Sequence, residues 1–183
     1  MKEIYISTDI EATGPIPGEY SMYELGASVV GNESDNFFSE INLINDNYVP
    51  DALSSCGRTL DKLKDRKNSI EPIDAMRLFA EWIERTVRNK SARPVFVAFN
   101  ATFDWMLLHW YFHKFLGFSP FGISGLDVKA YYMGMMSCNW GGTTKRRIDR
   151  RFLSSRPHTH NATDDAREQA EVFQKMLAFN AGR

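Results

Sequence analysis

At 183 residues the chain suits one domain, residues 1–183, and is long enough to bury a substantial core. Hydrophobic residues make up 43% and charged residues 25%, and the net charge of -1 argues against nucleic-acid binding by bulk charge alone. Only Cys56 and Cys138 are present, without CxxC spacing, which argues against a zinc framework or a disulfide-stapled scaffold.

The first residues carry no long apolar run, so neither a signal peptide nor a membrane span is expected. A reduced, cytoplasmic setting is the default reading. Strand-prone segments are predicted at 3–11, 20–30 and 36–44, with a polar turn at 31–35, forming an antiparallel meander. Residues 45–72 mix Asn, Asp, Pro, Lys and Ser and predict loops with short helical pieces. Ala75, Met76, Phe79, Trp82, Ile83 and Val87 recur at helical spacing and predict a helix over 73–89.

The compact apolar run at 94–99 predicts a buried strand. Asn100 stands where a cap for the next helix belongs, and Phe103, Leu107, Leu108, Tyr111, Phe112 and Phe115 give that helix a broad apolar face. A Gly/Pro/Ser-rich passage at 117–125 ends it. A short strand at 126–128 and a Met-rich helix at 129–136 follow. Residues 137–160 predict a polar and basic loop that is functional or partly mobile. Thr163 is the candidate cap of a last helix over 163–178. Strands first, then alternating helix and strand, imply an α/β fold with a mixed sheet between helices.

Three short segments carry chemistry. In Asp9-Ile10-Glu11, residues i and i+2 of an extended chain share a face, so two carboxylates point together while Ile10 faces the core. Such a pair repels itself unless a cation sits between, and hard divalent cations take oxygen ligands. Alone, the pair is a weak signal and reads more readily as a solvated strand end running into a Thr-Gly turn. Asp104 follows the buried strand in the first turn of a helix, where acids are also favoured by the helix dipole. His160 lies five residues before Asp165 at the start of the last helix. A histidine there can take a proton from water at neutral pH, and a carboxylate beside it can hold a metal. His158 is a competing imidazole two residues earlier.

Together the segments Asp9-Ile10-Glu11-Ala12-Thr13-Gly14, Glu24-Leu25-Gly26-Ala27, Asn100 to Asp104 and His160 to Asp165 resemble the DxExTG, E-(I/L)-G-A, NxxFD and HxAxxD motifs of the DEDDh exonuclease family. The resemblance runs from Ile4 to about Phe173 with the motifs in family order. It implies a ribonuclease H-like mixed five-stranded sheet, three antiparallel strands and then parallel additions, flanked by helices on both faces. It further implies 3′–5′ exonuclease activity releasing nucleoside 5′-monophosphates from single-stranded RNA or DNA ends. Asp9, Glu11, Asp104 and Asp165 would hold two Mg²⁺ or Mn²⁺ ions, and His160 would be the general base. The tyrosine class of the family is disfavoured, because Tyr is absent from 155–183.

Candidate substrate contacts are Thr13, Gly14, Asn100, Phe103, Trp140, Arg146 and Arg147. The basic run from Lys145 to Arg151, with Arg156, would track phosphates, or else is a solvated surface paired with nearby acids. Phe103, Trp105, Tyr132 and Trp140 offer rings for stacking, Trp140 beside two glycines being the best placed. Asp127 either supports the site or only ends a strand. The expected partner is a nucleic-acid 3′ end, RNA or DNA, with no membrane; a homodimer is compatible with the apolar helices. Two rival readings are a ribonuclease H-like endonuclease and a non-catalytic nucleic-acid-binding domain.

Overall fold

The computed structural model describes residues 2–88, 90–156 and 159–182. Its centre is β1 (Lys2–Ala12), which pairs antiparallel with β2 (Met22–Val29) on one side and parallel with β4 (Ala92–Ala98) on the other. With β3 (Asn32–Glu40) and β5 (Gly125–Asp127) outermost, the strand order is β3-β2-β1-β4-β5. This is the mixed five-stranded sheet expected: three antiparallel strands, then two parallel additions.

Alternation along β1 sends its side chains to two different cores. Ile4, Ile6 and Ile10 face α3 (Pro72–Arg88) and α4 (Ala101–Leu116), where Phe79, Trp82, Leu108 and Phe112 are buried. Tyr5 faces the opposite way, against Phe173 of α6 (Ala162–Ala181), in a second core with Val97, Val128 and Met176. Two short helices, α1 (Pro50–Ser55) and α2 (Leu60–Lys64), lie in the segment expected to be mostly loop, and α5 (Val128–Met136) follows β5. Among the described residues no helix is long and apolar enough to cross a membrane.

Three local expectations are corrected. The hairpin between β2 and β3 turns at Val30 and Gly31, and residues 32–35, read as a polar turn, are already strand. Gly31 supplies the positive φ of 81° that lets so short a turn close. Asn100 occupies the N-cap position of α4 but in the left-handed region, with φ 73°, and its side chain caps nothing there. Asp127 satisfies that helix start instead: its Oδ2 accepts the Ala101 N–H at 2.6 Å while its Oδ1 accepts the Ala130 N–H of α5 at 2.7 Å. One carboxylate thus joins the starts of two helices.

At the last helix Asn161, not Thr163, is the cap, accepting the N–H groups of Thr163 and Asp164. Thr163 turns away and donates its hydroxyl to the Phe37 carbonyl. The basic segment after α5 holds two short 3₁₀ turns, Trp140–Thr143 and Arg150–Phe152. Ile148 and Phe152 anchor it in the second core, so this loop is pinned to α5 and α6.

Gly26 decides how close α6 comes to the sheet. A methyl group there would lie 2.1 Å from the carbonyl carbon of Ala162 and 2.3 Å from the Thr163 nitrogen. Neither can yield without moving the helix start. Gly26→Ala should therefore lower unfolding stability by about 1–3 kcal/mol, the usual cost of overpacking. Gly134→Ala, in α5 with open space around it, should be neutral or stabilising by up to ~1 kcal/mol. Urea denaturation midpoints of the two variants check the contrast.

Candidate active site

The parallel ladder between β1 and β4 ends at Ser7 and Val97, and the chemistry gathers just beyond it, at the carboxyl ends of both strands. Asp9 and Glu11 project from β1 toward α6, as their i, i+2 spacing predicts. Asp104 comes from the first turn of α4, and its Oδ1 accepts the Ile10 N–H at 3.1 Å. Asp165 comes from the first turn of α6, fully buried, and accepts the Thr159 N–H at 3.0 Å. One carboxylate oxygen each from Asp9, Glu11 and Asp165 lies within 4.8 Å of the others.

His160 sits in the left-handed region, φ 54°, immediately before the cap of α6. Its Nδ1 is 4.0 Å from Glu11 Oε1, and its side chain is 41% exposed, so it borders the carboxylates from the solvent side. The rival His158 lies outside the described residues.

Burial and mutual repulsion set the electrostatics. Asp9 is held well above the usual carboxylate range by burial, then by the charges of Asp104, Glu11 and Asp165; the hydrogen bond from Gln169 opposes this only in part. Asp104 is pushed up to about 7, chiefly by burial, against the pull of the Ile10 N–H. Glu11 is also raised by burial, and the Cys56 thiol that donates to it moderates the rise.

The donor set fits hard divalent cations. It is all carboxylate oxygen and converges from three elements, and Asp9, Glu11 and Asp104 resist ionising together unless positive charge is supplied. Neighbouring Glu24 makes the contrast. It is the register partner of Glu11, more deeply buried, and carries two guanidinium partners, Arg66 at 2.6 Å and Arg58 at 3.0 Å. Asp9, Glu11 and Asp104 are instead met by an amide side chain, a thiol and a backbone N–H.

Two residues at this site have no place in the sequence reading. Gln169 Nε2 donates to Asp9 Oδ1 at 2.6 Å while its Oε1 accepts the Phe99 N–H at 2.8 Å, so it ties β1 to the end of β4. Its position four residues after Asp165, on the same helix face, is the signal that could have found it. Cys56 donates to Glu11 Oε2 at 3.2 Å and stands 3.9 Å from His160 Nδ1. It arrives from the segment after α1, and no local pattern marks it.

The seven expected substrate contacts fall in different places. Thr13 is fully buried; its hydroxyl donates to the Asn47 carbonyl and accepts the Ser21 N–H. Gly14 lies under the Tyr20 ring, where a Cβ would be 2.4 Å from a ring carbon. Phe103 packs against the first core, as does Trp105, and Tyr132 is buried in the second. Asn100 Oδ1 accepts from Lys129 Nζ, which also lies 4.2 Å above the ring of half-exposed Trp140. Arg146 and Arg147 are exposed and line one side of a shallow depression with Gly141, Thr144 and Lys145.

The rest of the basic run is largely matched by acids. Lys145 pairs with Glu168, Arg151 with Asp149 and Arg156 with Glu33. Lys145 also lies beside the residue that follows β4, its ammonium 5.5 Å from the Phe99 ring.

No family model matches the chain. It is 41% identical over 172 residues to the 3′–5′ DNA exonuclease Cap18 of Escherichia coli, covering 94% of this chain and 90% of that protein. Among solved structures, the nuclease domain of 3′hExo, a DEDDh family member bound to rAMP, superposes with a TM-score of 0.67 at 16% identity, covering 96% of this chain and 92% of that one. A 3′-exonuclease recognising the histone mRNA stem-loop gives 0.72 at 12% identity; 95% of this chain is covered, and it spans 63% of that longer chain. At these identities the two structures establish a common fold.

The sign of the Asp104 shift predicts how the metal-free chain responds to pH. The folded state retains a proton that the unfolded chain releases, so the contribution is fully present below about pH 4 and is lost as pH rises toward 7. In chelator, the melting temperature of the wild type relative to Asp104→Asn should fall across that window. Millimolar Mn²⁺ should raise the wild-type value most at its upper end. Thermal denaturation of both proteins at several pH values checks it.

Proposed function

The chain belongs to the DEDDh 3′–5′ exonucleases, and from that premise we propose that it removes nucleotides from DNA 3′ ends, using Asp9, Glu11, Asp104 and Asp165 to hold two Mg²⁺ or Mn²⁺ ions. The observation that carries this reading is the convergence of these carboxylates beside His160 in a chain 41% identical to a 3′–5′ DNA exonuclease. The DNA preference rests on that relative's stated substrate.

Divalent cations bound here would supply Lewis acidity, making water a stronger nucleophile and neutralising charge on the leaving 3′ oxygen. The protein's own residues do the rest. His160 takes the proton of the attacking water, and its exposure lets that proton pass on to solvent. Gln169 and the Ile10 N–H fix the orientations of Asp9 and Asp104, so the carboxylates need no rearrangement when a 3′ end arrives.

Arg146, Arg147 and Trp140 are the residues of the loop best suited to the strand leading into the site. They are exposed, while the other cations of the run mostly pair with acids. The arginines would meet phosphates and Trp140 would stack a base. Thr13 and Phe103 would shape the pocket floor through the packing described above.

Digestion of labelled single- and double-stranded DNA and of single-stranded RNA, with Mg²⁺ or Mn²⁺, tests the proposal. DNA should be shortened stepwise from its 3′ end to nucleoside 5′-monophosphates, at least about tenfold faster than RNA of the same sequence. Asp104→Asn should abolish release with the fold intact by circular dichroism, and His160→Ala should slow it by roughly 10²–10⁴. Internal fragments, faster digestion of RNA, or full activity in both variants would each contradict the assignment.

A further inference from the structure

Glu11 faces two groups of ligands at once. One is the carboxylate cluster; the other is Cys56 and His160, whose Sγ and Nδ1 lie with a Glu11 oxygen inside a single 4.8 Å radius. Hard cations explain the first group but not a thiol in the second, since Mg²⁺ demands oxygen and avoids sulfur. We propose that Glu11, Cys56 and His160 form a binding site for Zn²⁺, and that its occupation switches the exonuclease off.

The distances suit that ion. Zn²⁺ bonds of about 2.3 Å to sulfur and about 2.0–2.2 Å to nitrogen and oxygen, at tetrahedral angles, place ligand atoms about 3.4–3.6 Å apart. Here Sγ to Oε2 is 3.2 Å, Sγ to Nδ1 is 3.9 Å and Nδ1 to Oε1 is 4.0 Å. The two carboxylate distances run to different oxygens of Glu11. With one of them as the ligand, the three donor atoms lie within 4.8 Å of one another, so a contraction of up to about 1 Å brings them to coordination distance. One carboxylate, one thiolate and one imidazole leave the fourth tetrahedral position to water. On binding, the Cys56 proton passes to solvent, because a coordinating thiol is deprotonated outright.

The site also has the access and support an ion needs. His160 is 41% exposed and Cys56 is partly exposed, so the triad is reached from solvent. The segment carrying Cys56 is held to the sheet by Arg58 and Arg66, which clamp Glu24 directly across from Glu11. Binding would withdraw a carboxylate and the imidazole together. The inhibitory effect therefore rests on the roles proposed for Glu11 and His160, whereas binding itself does not.

Co²⁺ is a coloured probe for such a site, and the two-cysteine sequence gives an internal control. The full-length wild type and Cys138→Ser should each show a near-ultraviolet thiolate-to-cobalt charge-transfer band that Zn²⁺ abolishes, and Cys56→Ser should show none. With Mg²⁺ in excess, half-inhibition of 3′-end release should need at least about tenfold more Zn²⁺ in Cys56→Ser than in Cys138→Ser, the lower end of what losing even a supporting group costs a metal site. A wild type without the band, a band that survives in Cys56→Ser, or equal Zn²⁺ sensitivity of the two variants would overturn the inference. The band is read without substrate, so its absence leaves the exonuclease assignment standing, and an inactive chain would still display it.

Discussion

Repulsion among buried carboxylates is the constraint on which this structure turns. Asp9, Glu11, Asp104 and Asp165 are brought together where the sheet and two helices meet, and burial raises the proton affinity of Asp9, Asp104 and Glu11. On the adjacent strand the fold deals with the same difficulty by ion pairing, giving Glu24 two arginines. At the carboxylate cluster it supplies mainly neutral donors. The cluster thereby suits a cation, and the raised proton affinity of Asp104 is the thermodynamic mark of that arrangement.

Holding the cluster in place falls to residues that bear no reactive group. Gly26 lets the start of α6 lie against β2 at the register position opposite Asp9, which delivers Asp165. Asp127 fastens α4 to α5, fixing the helix that carries Asp104. Gln169 spans β1 and the end of β4. Apart from the bond by which Asp127 caps its own helix α5, these contacts join segments 26 or more residues apart. Losing one would misplace a carboxylate without touching it, which is how small displacements at a distance come to cost activity.

Much of this was legible in the sequence where local rules govern. The alternation in Asp9-Ile10-Glu11, the helical period around Phe79 and Trp82, and the apolar run before Asn100 each specify their element through burial of one face. The errors fell where tertiary contacts overrule local preference. Asn100 stands at a helix start, yet Asp127 from another strand takes its capping duty. Thr163 looks like a cap, yet Asn161 does that work while Thr163 reaches Phe37. The surroundings of Thr13 and Gly14, a hydroxyl bonded to Asn47 and Ser21 and a glycine under the Tyr20 ring, are likewise set by contacts that the local motif does not show. Cys56 was not legible at all, because its meaning lies in Glu11 and His160, 45 and 104 residues away along the chain.

The account's central claim is that these carboxylates exist to hold divalent cations. Equilibrium binding of Mn²⁺ to the His160→Ala chain, with a nucleoside 5′-monophosphate present to mimic the product, tests it most directly. The prediction is saturable binding of about two ions per chain, with a site lost in a double variant that also carries Asp9→Asn. No saturable binding, or binding indifferent to Asp9, would contradict it.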